Sequence, residues 1–153
     1  MDAARPGKRA AHREAGVTDE NPTGRRRAGI NDTLGASFID GNAEQGWIRI
    51  RYMGTPAFDN SSGLIQGGIL AAMLDNVMSR AVLQRLDDGQ IIQTLEMKTT
   101  FIAPAPIGPV IGEGQIVRQG RSIVFLEGRI FSEAGDLLVT ASSTAKLAKR
   151  KAA

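Results

Sequence analysis

The sequence predicts an α+β domain in which one long central helix is wrapped by a curved antiparallel sheet of about five to six strands. Three observations carry that expectation. From Ile69 to Leu83 only Asp75, Asn76, Ser79 and Arg80 interrupt an apolar run, the composition of a buried helix. Two strand-like segments precede this run and four follow it, parted by short turn sequences. No second stretch has helical periodicity, and there is no internal repeat, heptad pattern, Walker loop or GxGxxG motif.

Taken in order, residues 1–28 are rich in Ala, Arg, Gly, Pro and Glu without hydrophobic periodicity, and read as a disordered or loosely attached tail. Residues 29–153 read as a single domain. Residues 30–40 suggest a short strand with a turn before it, and Asp40-Gly41-Asn42 a hairpin turn. In Trp47–Met53, Ile48, Ile50 and Tyr52 alternate with Arg49 and Arg51, the pattern of a half-buried strand. Pro56, Asn60, Ser61, Ser62 and Gly63 mark a loop, and the helix follows from about Gly67 to Arg85, ended by Asp87-Asp88-Gly89.

Four strands complete the chain. Ile91–Phe101 sets Leu95, Met97, Thr99 and Phe101 on one face and Thr94, Glu96, Lys98 and Thr100 on the other, until Ala103-Pro104-Ala105-Pro106 breaks it. Pro109–Arg118 turns through Gln119-Gly120 into Arg121–Phe131. A turn at Glu133–Asp136 leads to Leu137–Leu147, with Leu137, Val139, Ala141, Ala145 and Leu147 toward the core.

The composition narrows the chemistry. There is no cysteine, hence no disulfide, thiol nucleophile or thiolate metal site, and His12 in the tail is the sole histidine. A histidine-based triad or a multi-histidine zinc site is not expected. The net charge of +3 arises wholly in residues 1–27, whereas residues 28–145 carry eight basic and twelve acidic groups. The high isoelectric point thus reports two basic ends, including Lys146, Lys149, Arg150 and Lys151, and no nucleic-acid surface is expected. No window is long and apolar enough to span a membrane and no secretory leader opens the chain, so a cytoplasmic location is expected.

Asp75 is the residue that demands an account, because a carboxylate inside an apolar helix costs several kcal/mol, on the order of the desolvation penalty, unless paired or used. Ala71, Ala72, Met78 and Ser79 lie three or four positions away and share its face, leaving room beside it. Gly67 and Gly68 at the helix start can present backbone N–H groups to a developing oxyanion. These are parts suited to acyl transfer or hydrolysis. The alternative is a structural Asp bonded to a neighbouring loop.

The stretch Asn60-Ser-Ser-Gly63-Leu-Ile-Gln66-Gly67-Gly68, with Asp75 nine residues after Gln66, resembles the hotdog-fold acyl-CoA thioesterases of the phenylacetate-pathway and 4-hydroxybenzoyl-CoA thioesterase branch. Thr94–Pro104 is similar to that family's strand ending in an aromatic residue and a proline, and Val117–Arg121 to its next turn; the likeness spans roughly residues 33–147. The resemblance implies that Asp75 acts as general base or nucleophile and that the Gly67 N–H binds the thioester oxygen. It further implies that Asn60 orients the carbonyl or the attacking water, and that Ser79 and Thr94 hold water or contact the acyl group. The family's usual His is Gln66 here, which can hold a loop but cannot change charge near neutral pH.

On the same resemblance, Arg121 is the first choice for a coenzyme A phosphate contact, followed by Arg118 and Lys146, with Gly120 and Ser122 in the same turn. The acyl group is expected along Gly68, Ala71, Ala72 and Met78 and to be medium-chain or aromatic. The site is expected between the subunits of a homodimer or homotetramer. No metal or cofactor is implied beyond the coenzyme A of the substrate. A non-catalytic acyl-CoA-binding module on the same fold is the second reading, favoured by Gln66. A dehydratase or hydratase ranks last because it would want a catalytic His.

Overall fold

A computed structural model describes residues 29–87 and 89–149. The expected tail, Asp88 and the last basic residues lie outside them. The elements are α1 (Ile30–Thr33), β1 (Ser37–Asn42), β2 (Trp47–Gly54), a 3-10 turn (Pro56–Phe58), α2 (Gly67–Leu83), β3 (Gln90–Phe101), β4 (Gly108–Gln119), β5 (Ile123–Ser132) and β6 (Leu137–Lys149). The six strands form one antiparallel sheet in the order β1-β2-β4-β5-β6-β3, with α2 packed on its inner face. The fold class is therefore the one the apolar helix and the strand count predict.

The helix stands closer to the sheet than ordinary side chains would allow. A methyl group on Gly114 of β4 would lie 2.4 Å from the Val77 carbonyl oxygen, and one on Gly128 of β5 would lie 2.9 Å from Met78 Cγ and 3.0 Å from Leu74 Cδ2. Leu70, Met73, Leu74, Val77, Met78, Ala81 and Val82 fill the stripe facing this glycine floor. Their spacing of three and four is that of one helix face. The opposite side, with Ala71, Ala72, Asp75 and Ser79, is half-buried, so α2 is less fully enclosed than its composition suggests.

Three local readings change. Residues 30–33 form a helical turn and not part of a strand. The first hairpin turns at residues 43–46 and not at Asp40-Gly41-Asn42: Gly41 pairs with Ile48, Asn42 Oδ1 accepts the Gln45 N–H at 2.9 Å, and Gly46 takes a positive φ of 70°. The glycine needed for the left-handed position thus lies further on than the Asp-Gly pair implies. In β3 a bulge between Thr94 and Glu96 breaks the alternation, so Leu95 is exposed and Thr94 faces the helix. A single extra residue moves every side chain before it to the other face.

Beneath α2, Tyr52 is wholly buried, its ring packed on Gly112, and its hydroxyl donates to Asn76 Oδ1 at 2.7 Å. Asn76 Nδ2 in turn donates to Asn31 Oδ1 at 3.0 Å, tying α1 to the helix. Burial pushes the Tyr52 phenol above its ordinary range, only partly offset by the Arg80 guanidinium, so the hydroxyl stays a donor. Tyr52→Phe is expected to cost about 1–2 kcal/mol, because Asn76 keeps its burial and loses its donor. Chemical denaturation measures this, and a change under about 0.5 kcal/mol would show the network to be dispensable.

Candidate active site

The loop before α2 is held by its own side chains. Asp59 Oδ1 accepts the N–H groups of Ser62 at 3.2 Å and Gly63 at 2.8 Å, and Asn60 Oδ1 accepts that of Ser62 at 3.0 Å. Ser61 and Gly63 both take φ near 74°. Gln66 N–H donates to Phe58 O and Ile65 N–H to Ala105 O, both at 2.8 Å, which aims the chain into the helix. With its oxygen engaged, Asn60 has its amide NH2 left to offer a ligand.

The helix start has one donor to spare. Gln66 is the N-cap: its side-chain oxygen accepts the Gly68 N–H, and its backbone oxygen accepts from Ile69 and Leu70. Among the described residues the Gly67 N–H has no acceptor. It sits at the positive end of a 17-residue helix, where a partial negative charge is favoured. The ring of Phe101 abuts it, since a methyl on Gly67 would lie 3.1 Å from Phe101 Cζ. An open groove of about 410 Å³ begins here, bounded by Asn60, Gly67, Leu64, Leu70, Phe101 and Ile102.

Asp75 is half-buried, and its Oδ1 accepts the Thr94 hydroxyl at 2.6 Å. Eight residues separate it from Gly67, about 12 Å along the helix at ~1.5 Å per residue. Within one chain, therefore, the acid and the free N–H do not meet. Both nevertheless lie along the same edge strand. Thr94 holds the acid in the first half of β3, and Phe101, its last residue, lies against Gly67.

The remaining candidates are scattered. Ser79 is half-buried one turn beyond Asp75, and Gly68 is exposed with its N–H taken by Gln66. Ala71 and Ala72 are half-buried and do not border the groove. Met78 is buried in the core against Gly128, so it does not form an acyl site beside Asp75: two successive turns carry Leu74 and Met78 onto the sheet. Arg118, Gly120, Arg121, Ser122 and Lys146 are all exposed around the β4–β5 turn. Gly120 N–H donates to Ile123 O, Leu147 N–H donates to Ser122 O, and Lys146 pairs in register with Ile123 and Gln93. This turn therefore adjoins the Thr94 end of β3. Among the described residues none of the three cations has an ion-pair partner.

Two features escape sequence reading. Asp59 organises the loop, and the only signal for it is a carboxylate three and four residues before two N–H groups. The groove is built from Leu64 and the segment after β3, two segments distant in sequence and joined by a bridge between Leu64 and Pro106.

Comparison with known proteins agrees with this architecture. The thioesterase superfamily matches residues 62–139, half of the chain, and the chain belongs to that family of thioester hydrolases with its hotdog fold. It is 35% identical to a phenylacetic acid degradation-related protein of Ralstonia eutropha JMP134, over 76% of this chain and 88% of that one, with a TM-score of 0.73. A Bacillus halodurans protein solved with CoA shares the fold at a TM-score of 0.68 and 23% identity, over 78% of this chain and 75% of that one. A Saccharolobus solfataricus protein described as an esterase is 25% identical over 103 residues, 66% of this chain and 67% of its own. Among the described residues no helix is long and apolar enough to cross a membrane.

Proposed function

We propose that the protein hydrolyses a medium-chain or aromatic acyl-CoA to the free acid and coenzyme A, at a site shared by two subunits. The observation that carries this reading is the placement of Asp75 and the free Gly67 N–H along one edge strand. β3 is a twelve-residue strand at the edge of the sheet, with no neighbouring strand on its outer side among the described residues and Leu95 exposed on it, a surface suited to a partner strand. Antiparallel pairing of two β3 strands about a two-fold axis near Met97–Lys98 would set Thr94 of one opposite Phe101 of the other. The acid of one subunit then faces the N–H donor of the next, closing the 12 Å gap estimated from the helix rise.

In this reading the thioester oxygen accepts the Gly67 N–H, and the Asn60 amide orients the carbonyl. Asp75, steadied by Thr94 and with Ser79 nearby, takes a proton from water as the hydroxide oxygen bonds to the carbonyl carbon. The oxyanion collapses, the C–S bond breaks, and the proton returns from Asp75 to the departing thiolate. The alternative, direct attack by the carboxylate, would pass through an anhydride that water then cleaves. Arg121, Arg118 and Lys146 provide cations for the coenzyme A phosphates at the acid's end of β3. The likeness to the Ralstonia eutropha protein named for phenylacetic acid degradation supports an aromatic acyl group, and the Bacillus halodurans protein solved with CoA supports the thiol portion.

Gln66 favours a second reading, a module that binds acyl-CoA without turning it over, because a neutral amide caps the helix and adds no titratable group. Release of free thiol from acetyl-, octanoyl-, palmitoyl- and benzoyl-CoA separates the two. Hydrolysis of at least one is expected. Binding of acyl-CoA by calorimetry with no thiol release would establish the binding module instead.

A further inference from the structure

We infer that the groove leading from Gly67 holds the acyl group, and that Phe101 and Leu64 set which acyl group is accepted. The inference rests on the hydrolase reading and assigns the acyl site to a different place from the Ala71, Ala72 and Met78 face. An oxygen bound at the Gly67 N–H brings the carbonyl carbon to the mouth of the groove, so one of its two substituents enters. The walls decide which. Leu64, Leu70, Phe101, Ile102 and Ala105 present hydrocarbon, and Asn60 at the mouth is the one polar side chain. The pantetheine arm carries two amides for which these hydrocarbon side chains offer no partner, whereas an acyl chain has none to satisfy. The acyl side therefore enters, and the coenzyme A side leaves toward solvent.

The dimensions favour more than an acetyl group. A volume of about 410 Å³ falls in the range of small-molecule sites. Phe101 stands at the junction of donor and groove, its ring tip against Gly67 and half of its surface exposed (53%). A Cβ at position 67 would press this exposed ring back by only a few tenths of an ångström. An aryl or medium-chain acyl group can then cover much of that exposed ring, whereas the single methyl of acetyl covers little of it.

Two variants test this, read as ratios of kcat/KM so that a loss of active protein cancels. Leu64→Trp, which fills the groove, is expected to lower the octanoyl-CoA to acetyl-CoA ratio by about tenfold or more, the scale of hydrophobic-pocket discrimination. Phe101→Ala, at an exposed side chain, is expected to lower the benzoyl-CoA to acetyl-CoA ratio by about tenfold. Ratios within about twofold of wild type in both variants would overturn the assignment while leaving the hydrolase reading intact. Unchanged ratios together with an altered mass by light scattering would show that a segment of a second copy fills the groove, also overturning it. Absence of thiol release from every acyl-CoA by the wild type would remove the hydrolase reading and this inference with it.

Discussion

Asp75→Asn is expected to lower kcat at least about a hundredfold on whichever acyl-CoA the wild type prefers, the scale of losing a general base. The amide is nearly isosteric and can still meet the Thr94 hydroxyl, so folding is expected to be preserved. What it cannot do is accept a proton from water. Gly67→Pro removes the other half of the proposed apparatus. Position 67 is the first residue of α2, where proline is well accommodated, and Gln66 already has the extended ψ of 136° that a following proline prefers. The missing N–H is expected to cost about a hundredfold in kcat, as removal of an oxyanion donor does.

The two variants also test the shared site. In a mixed dimer, one active site combines both lesions and the other combines the intact acid of one chain with the intact loop of its partner. Co-refolding the two inactive variants is therefore expected to restore hydrolysis well above either alone. Failure to complement, with mixed dimers present by mass spectrometry, would confine the site to one chain. Turnover by Asp75→Asn within about tenfold of wild type would exclude the general-base role.

Gly114→Ala is expected to destabilise the fold by about 3 kcal/mol or more, the upper end of overpacking penalties. The new methyl would lie 2.4 Å from the Val77 carbonyl oxygen and 2.7 Å from its carbon, and both are helix backbone. No rotamer change relieves that overlap; α2 must lift from the sheet and loosen Leu74, Val77 and Met78 together. The lower entropy of an alanine in the unfolded chain returns less than about 1 kcal/mol. A fall of about 10 °C or more in Tm is the expected reading, and stability within 0.5 kcal/mol of wild type would mean that the helix sits further from β4 than described.

Much of this architecture is legible in local sequence. The apolar run from Ile69 marks the helix and the alternation from Trp47 marks β2, whereas Asn60, Gln66 and Asp75 are grouped by the resemblance to the thioesterases. Those signals are local, because a helix face repeats every three to four residues and a strand face every two. Strand bounds were correspondingly close, as in β2 and β4. Local pattern failed where one residue changes register: the Leu95 bulge put Thr94 on the helix side, and the first hairpin turned later than its Asp-Gly pair.

The sequence by itself determined the fold class and singled out Asp75 and the glycines at the helix start, and the family resemblance added Asn60 and Gln66 as candidates. Only the tertiary structure decided what each of them touches. It gave Asp75 its Thr94 partner, took Met78 into the core, spent the Gly68 N–H on Gln66 and left that of Gly67 without an acceptor. It also brought Leu64 to the segment after β3, making a groove that neither stretch encodes alone. The reason is physical: propensity and periodicity act over a few residues, whereas a site is made by packing that joins chain segments tens of residues apart.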